Sequence, residues 1–367
     1  MVVKSGENVR MPRVNNRSQS LIDTLIASRN QISQAVVEST YRDLPHLWDA
    51  YGERGRRLCR EDMDYHLSYL IESIQLSDPS LFLSYLAWVK GLFAHMKLPE
   101  NCVSDLLDRL RRVLRDMFPD EYNPQLTPYL DFPNDAAFAW EDSEPRGANQ
   151  PLYETFKSYL QALIQGEKQT ARQLILSAAE DGIPIQDIYL HVFQPAQREI
   201  GRLWYTRRIS VAEEHYCTAV TQLIMAELYP YVFSTRKSGL RLVAACAQGE
   251  LHEIGVRMVA DFFEMEGWDT YYLGANMPNE DIIRTLRERR PDVLAVSATL
   301  SLRHSTVERL ISEVRATPIG NRIKIIVGGV ALGRQPDLCR KLGADAYGAD
   351  AREALLAAER LLGPNSR

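Results

Sequence analysis

The feature that most constrains this chain is a change of hydrophobic period near residue 236. Beyond it, five short apolar or β-branched runs (241–247, 270–273, 293–297, 324–327 and 344–347) alternate with amphipathic helical stretches. Strands that are apolar on both faces and separated by helix-length segments fit a parallel sheet with helices on both sides. Before that point the spacing is helical. It repeats in Tyr65, Tyr69, Leu70 and Ile74, and in Leu83, Leu86, Val89, Leu92 and Phe93. From 152 to 233 there are four helical segments, 153–164, 170–179, 185–204 and 211–231. They are broken at Gly166, at Gly182-Ile183-Pro184 and near 207–210, the short connections of an antiparallel four-helix bundle.

These patterns predict a multidomain α and α/β chain. Residues 1–20 read as a flexible tail, 21–118 as an all-helical domain, and 119–150 as a linker carrying Pro119, Pro124, Pro128, Pro133 and Pro145. Residues 151–235 read as the bundle and 236–367 as a Rossmann-like, doubly wound sheet. With 45% hydrophobic and 25% charged residues, wholesale disorder is excluded. The formal charge of −5 gives no global case for nucleic acid or anionic lipid, so direct DNA binding is not expected. Five scattered cysteines without a C-x-x-C pair argue against a disulfide framework or a zinc ribbon, which fits a reducing cytoplasm. No stretch approaches the roughly 18 apolar residues of a membrane span.

A doubly wound sheet binds ligands at the carboxyl ends of its strands, so the loops there carry the chemistry. After the first strand comes Gln248-Gly249-Glu250-Leu251-His252-Glu253-Ile254-Gly255. Glu250 can hold the His252 ring by a hydrogen bond, and Gly255 removes a side chain where the next helix would crowd a large ligand. After the third strand lies Ser297-Ala298-Thr299-Leu300-Ser301, and after the fourth Val327-Gly328-Gly329-Val330. Small hydroxyls and bare backbone suit a bulky cofactor tail. No G-x-G-x-x-G follows a strand, which disfavours a dinucleotide.

Glu250-x-His252-x-x-Gly255, the Ser297–Leu300 loop and Gly328-Gly329 together resemble the cobalamin-binding domain of methionine synthase and its relatives. The resemblance implies His252 as lower axial cobalt ligand and Glu250 as its orienter. It also implies that Ser297, Thr299, Gly328 and Gly329 line the groove for the displaced nucleotide tail. The first motif residue is commonly Asp in that family, and Glu can still accept from the imidazole. In the bundle, Trp204 is followed after nine residues by Glu214-His215. This W-x9-E-H pattern resembles the light-sensing domain of CarH-type, adenosylcobalamin-dependent photoreceptors. The resemblance covers about 153–362 and implies that Trp204 and Glu214 contact the adenosyl group on the upper face, with His215 beside them.

Two positions depart from that pattern. Some CarH-type receptors carry a histidine directly after the tryptophan, and here it is Tyr205. The N-terminal region does not resemble a winged helix. It is rich in aromatics and histidine (His46, Trp48, Tyr51, Tyr65, His66, Tyr69, Tyr85, Trp88, His95), and a helical domain on such a module resembles the photocobilins, which hold biliverdin beside cobalamin. His66 or His95 with Arg54, Arg56 and Arg57 would then serve the bilin, and Cys59 or Cys102 a thioether. The same residues read equally as core and solvated surface, and Trp204 and His215 have bundle-packing alternatives. The expectation is a non-enzymatic light sensor, signalling through a light-dependent homo-oligomer or a protein partner. A corrinoid methyl carrier and a light-independent cobalamin sensor are the competing readings.

Overall fold

A computed structural model describes residues 16–43, 52–131, 152–232, 237–333 and 338–363. The chain divides into two units, Met1–Glu141 and Asp142–Arg367. No helix among the described residues is long and apolar enough to cross a membrane.

The first unit is helical: α1 (Asn16–Ala27), α2 (Arg29–Asp43), α3 (Gly52–Gln75), α4 (Pro79–His95), α5 (Cys102–Met117) and α6 (Asn123–Leu130). Helix α4 starts as the sequence dictates, with Asp78 accepting from the Ser80 amide and Pro79 in the first turn. In α5, Val103, Leu107, Leu110 and Leu114 fall on one face and are buried. Two expected boundaries move. Residues 16–20 are helical rather than tail, because Leu21 and Leu25 are fully buried and draw the preceding turn into the helix. The expected linker begins later than 119, since Tyr122, Leu126, Tyr129 and Leu130 pack into this core. Pro119 precedes a 3-10 turn and Pro124 sits in the first turn of α6, positions where a missing N–H costs nothing. Pro133, Pro145, His46, Trp48 and Tyr51 lie outside the described residues.

The second unit opens with the four-helix bundle: α7 (Tyr153–Ile164), α8 (Lys168–Glu180), α9 (residues 185–205) and α10 (Val211–Glu227). Gly166 and Gly182 end α7 and α8 with φ of +75° and +86°, a conformation glycine adopts without strain. A capping box between Ser210 and Glu213 starts α10. Helix α9 widens into a π turn at Tyr189–Phe193. Pro195, which follows it, has no N–H to offer the carbonyl four residues back, and the widened turn accommodates it.

The sheet has five parallel strands in the order β2-β1-β3-β4-β5: β1 (Arg241–Cys246), β2 (Asp269–Gly274), β3 (Val293–Ser297), β4 (Lys324–Gly328) and β5 (Ala346–Gly348). Helices α12 (Asn279–Arg289) and α13 (His304–Arg315) cover one face through Ile282, Leu286, Val307 and Leu310. Helices α11 (Ile254–Met265) and α14 (Ala351–Leu362) cover the other through Val256, Ala260, Phe263 and Leu355. The strand order reverses between β1 and β3, which opens the crevice where such folds bind ligands.

Bundle and sheet form one unit because α11 serves both cores. Its Met258 and Phe262 belong to the bundle core, while Val256, Ala260 and Phe263 pack on the sheet. A buried hydrogen bond of 2.8 Å from the Tyr189 hydroxyl to Asp261 Oδ2 ties the π turn to α11. Burial pushes the Asp261 carboxyl up to about 6, against the Tyr189 hydrogen bond and the Arg257 charge that pull it down. The folded state therefore holds a proton that the unfolded chain loses between about pH 4 and 6, so stability from this group falls as pH rises through that window. Measured against Asp261→Asn, the wild-type chain should gain about 2 kcal/mol of unfolding free energy between pH 7 and pH 4.5. A difference between the two that is flat with pH would contradict the assignment.

Candidate functional site

Two loops meet at the crevice beyond β1 and β3. The Ala247 amide donates to the Ser297 carbonyl at 3.0 Å, and the Glu250 amide to the Ala247 carbonyl at 2.9 Å, which curls the first loop back over the strand ends. Gly249 takes φ of +82°, its amide donates to Asn276 Oδ1 at 2.7 Å, and a Cβ there would lie 2.7 Å from the Arg303 guanidinium carbon. The Asn276 amide donates in turn to the Glu250 carbonyl at 2.8 Å.

Glu250 is the centre of this arrangement. Its side chain is fully buried, and each carboxylate oxygen accepts twice. Oε1 takes the His252 amide at 3.0 Å and His252 Nδ1 at 2.5 Å. Oε2 takes the Thr299 amide at 2.7 Å and the Leu300 amide at 3.1 Å. Burial pushes this carboxyl up, but the His252 side chain and the backbone amides outweigh it and bring it down to about 2. Glu250 is thus a carboxylate at any ordinary pH, and it fixes the proton of a neutral His252 on Nδ1. The lone pair is left on Nε2, the arrangement that prepares an imidazole to bind a metal. The hydrogen bond to Glu250 raises the His252 pKa, burial lowers it, and the charges of Glu250 and Glu214 raise it further.

The bundle meets the same loop, because Gln222 on α10 donates to Glu253, the residue after His252, at 2.8 Å. His215 Nδ1 pairs with Glu214 Oε2, and the ring is exposed. Glu214 Oε1 accepts from Thr218 at 3.1 Å, which donates equally to Gln197. Gln197 donates to Thr221 at 2.8 Å, so the carboxylate stands at the end of a polar chain running into the bundle core. Trp204 is 38% exposed, enough to offer a ring face, whereas Tyr205 is buried at 3% and is not an exposed substitute for a histidine.

Two of the expected groove residues also act within the chain through their backbones. Thr299 serves Glu250 through its backbone amide rather than its hydroxyl, and Ser297 through its carbonyl closes the first loop. Gly329 has φ of +107°, and a Cβ there would stand 2.1 Å from the Ala298 carbonyl; at Gly328 it would be 3.0 Å from the Gly348 carbonyl. Gly255 is different, since a Cβ there meets no protein atom within 4 Å. Packing within the chain does not demand that glycine, and its open side leaves space for a ligand. With exposed Leu251 next in the chain to an oriented imidazole, this donor set would fit a corrin's cobalt.

In the first unit, His66 is buried with Nδ1 at 2.8 Å from the Tyr85 hydroxyl, and burial pushes its pKa down to about 4. Tyr85 stacks on Tyr69 at 3.8 Å, and His95 Nδ1 meets the Gly91 carbonyl. The Arg56 guanidinium lies over Tyr41. Burial pushes the Cys59 thiol up to about 11 and raises Cys102 as well. Glu253, Gln222, Tyr272 and Asn276 belong to the site's surroundings and were not expected. Only Glu253 carried a sequence signal, its place inside the E-x-H-x-x-G motif.

Two substitutions test this geometry. Glu250→Ala leaves the Thr299 and Leu300 amides without their acceptor and should cost about 2–4 kcal/mol of unfolding free energy. Gly329→Ala forces a methyl onto the Ala298 carbonyl and should cost at least about 2 kcal/mol. Denaturant titration of the full chain reads both, and wild-type midpoints would contradict the arrangement.

Comparison with known proteins agrees with the site. Residues 240–356 and 155–229 each match a family described as a B12 binding domain. Dimethylamine corrinoid protein 2 of Methanosarcina acetivorans is 26% identical over 164 residues, 45% of this chain and 73% of that protein. The HTH-type transcriptional repressor CarH of Myxococcus xanthus is 27% identical over 207 residues, 55% of this chain and 68% of that protein. The solved structure of the Methanosarcina barkeri monomethylamine corrinoid protein superposes with a TM-score of 0.52 at 20% identity, covering 57% of this chain and all of that one, and so shares the fold. The bundle and the sheet are thus two B12 binding domains side by side, and the chain is a cobalamin-binding protein.

Proposed function

We propose that this protein is a light sensor that uses adenosylcobalamin with His252 as the lower cobalt ligand. The observation that carries the reading is the Glu250-oriented imidazole of His252, in a loop that the helix bearing Glu214 reaches through the hydrogen bond from Gln222 to Glu253. When bound, the cofactor supplies a photolabile cobalt–carbon bond. The chain's part is to hold the ring from below through His252, to seat the nucleotide tail along the bare backbone at Gly328-Gly329, and to cover the upper face with Trp204 and Glu214. Trp204 and Glu214 would contact the group on the upper face, and the bundle would repack along α11 once they lost that contact. Light biases the packing because the two forms of the ligand meet different bundle surfaces; a ligand indifferent to both packings would shift nothing.

In this reading the protein is cytoplasmic and not an enzyme. Its output is a change of association with a second copy or a protein partner, without contact to DNA. Biliverdin in the helical first unit is the second chromophore of the proposal. The similarity to CarH over 207 residues supports the sensor. The similarity to corrinoid proteins supports a second reading, a methyl carrier of a methyltransferase system, in which the same His252 holds a methylated corrinoid. A light-independent cobalamin sensor is the third.

Absorbance and size-exclusion chromatography of the full chain separate them, with adenosylcobalamin and biliverdin added, in the dark and after green light. The sensor predicts a light-dependent corrinoid spectrum, a shift in apparent mass and a retained red band, with the dark His-on spectrum lost in His252→Ala. A spectrum and mass indifferent to light would overturn light sensing. Dependence on a separate methyl donor and acceptor would then favour the carrier, and dark assembly on cobalamin alone the light-independent sensor.

A further inference from the structure

The residue immediately after His252 is placed for more than ending a loop. Glu253 occupies the N-cap position of α11, yet its carboxylate makes no capping bond to that helix. Both oxygens are spent on other elements. Oε1 accepts from Gln222 Nε2 on α10 at 2.8 Å, and Oε2 accepts from the Tyr272 hydroxyl on edge strand β2 at 2.8 Å. One turn into α11, Arg257 donates to the Gln222 carbonyl at 3.4 Å, so Gln222 is held by its side chain and its backbone together.

The sheet is shaped to admit this carboxylate. The register of β1 against β2 slips between Ala244 and Ala245, so Tyr272 and Gly274, two residues apart, oppose adjacent residues of β1. Such bulges redirect side chains at strand ends. Gly274 has φ of +82°, and a Cβ there would lie 3.3 Å from Glu253 Oε2, tighter than ordinary contact. A bulge, a glycine, a tyrosine and a bundle glutamine thus converge on one carboxylate adjacent to His252.

We propose that Glu253 is a positioning residue, a clasp that fixes α10 against the His252 loop and so sets how the bundle closes over the bound corrinoid. The role rests on the cobalamin reading of the site, but it is distinct from that of Glu250. Glu250 orients the imidazole, whereas Glu253 seats the helix that bears Glu214 and His215. Opening the clasp leaves the His252 ring in place and frees the bundle edge, so corrinoid leaves faster without a change in how it is ligated.

The test uses the full chain in two arms. In the first, without cofactor, hydrogen–deuterium exchange is followed across α10 in wild type, Glu253→Ala, Glu253→Gln and Tyr272→Phe. The clasp predicts exchange around Gln222 roughly tenfold faster in Glu253→Ala, as the loss of hydrogen bonds to a charged group implies, with smaller increases in the other two. In the second, the variants are loaded with hydroxocobalamin and its release is timed. Release should quicken by a similar factor while the saturated spectrum stays that of wild type. Unchanged exchange at Gln222 would overturn the clasp, as would faster exchange with unchanged release, or a spectrum that loses His252 ligation in Glu253→Ala. Should Glu253→Ala fail to fold, the same outcomes decide the matter in Tyr272→Phe, which deletes a single hydroxyl. Wild-type protein that takes up no cobalamin would sink the reading of the site, and the exchange arm would still decide whether Glu253 holds α10.

Discussion

A single buried carboxylate organises the functional end of this molecule. Taking Glu250 out of water is expensive, and the expense is met only because four donors converge on it, three of them backbone amides. That requirement turns a cost into order. The loop after β1 and the loop after β3 must both adopt the conformation that presents those amides, and the two loops flank the point where the strand order reverses. The imidazole of His252 then has one orientation and one tautomer because Nδ1 is already committed. Backbone donors do not relax as side chains do, so the site is preorganised before any ligand arrives.

The second constraint is that α11 belongs to two cores. Its bundle-facing side carries Met258 and Phe262 and its sheet-facing side Val256, Ala260 and Phe263, and it begins two residues after His252. A change in the packing of the bundle therefore acts on the helix that follows the proposed cobalt ligand, and the reverse holds equally. The polar ties along this wall differ in kind. Tyr189 and Asp261 are buried and close the far end, while Glu253, Gln222 and Tyr272 sit at the partly exposed near end beside the site. A wall secured at one end and clasped at the other is suited to an opening motion about the secured end.

Much of this was legible in the sequence, for identifiable reasons. Strand periodicity located all five strands within a residue or two, and most readily β1, β3 and β4, whose cover by helices on both faces makes them nearly continuously apolar. Glycine breaks located the bundle helices. The E-x-H-x-x-G motif located the imidazole and its orienter because both are side-chain chemistry at a fixed spacing. What stayed hidden depends on the third dimension. Backbone amides serve Glu250 whatever the side chains of Thr299 and Leu300, so residue type gives no hint of that role. Gln222 and Tyr272 reach Glu253 from distant segments, through a bulge that no propensity announces. Pro119, Pro124 and Pro128 suggested a linker, yet burial of Tyr122 and Leu126 made helix of it. In the first unit the sequence marked His66 but not its pairing, because the hydrogen bond to Tyr85 comes from a separate helix.

The central claim is that Glu250 prepares His252 to ligate cobalt, and the nitrogen on the metal can be observed directly. The measurement is the electron paramagnetic resonance spectrum of cob(II)alamin bound to the full chain, prepared with natural-abundance and with ¹⁵N-labelled histidine. Ligation by His252 predicts a superhyperfine splitting that changes from triplets to doublets on labelling and disappears in His252→Ala. A splitting indifferent to the label, or one that survives in that variant, would mean that another group holds the metal and that the Glu250–His252 pair is not its ligand.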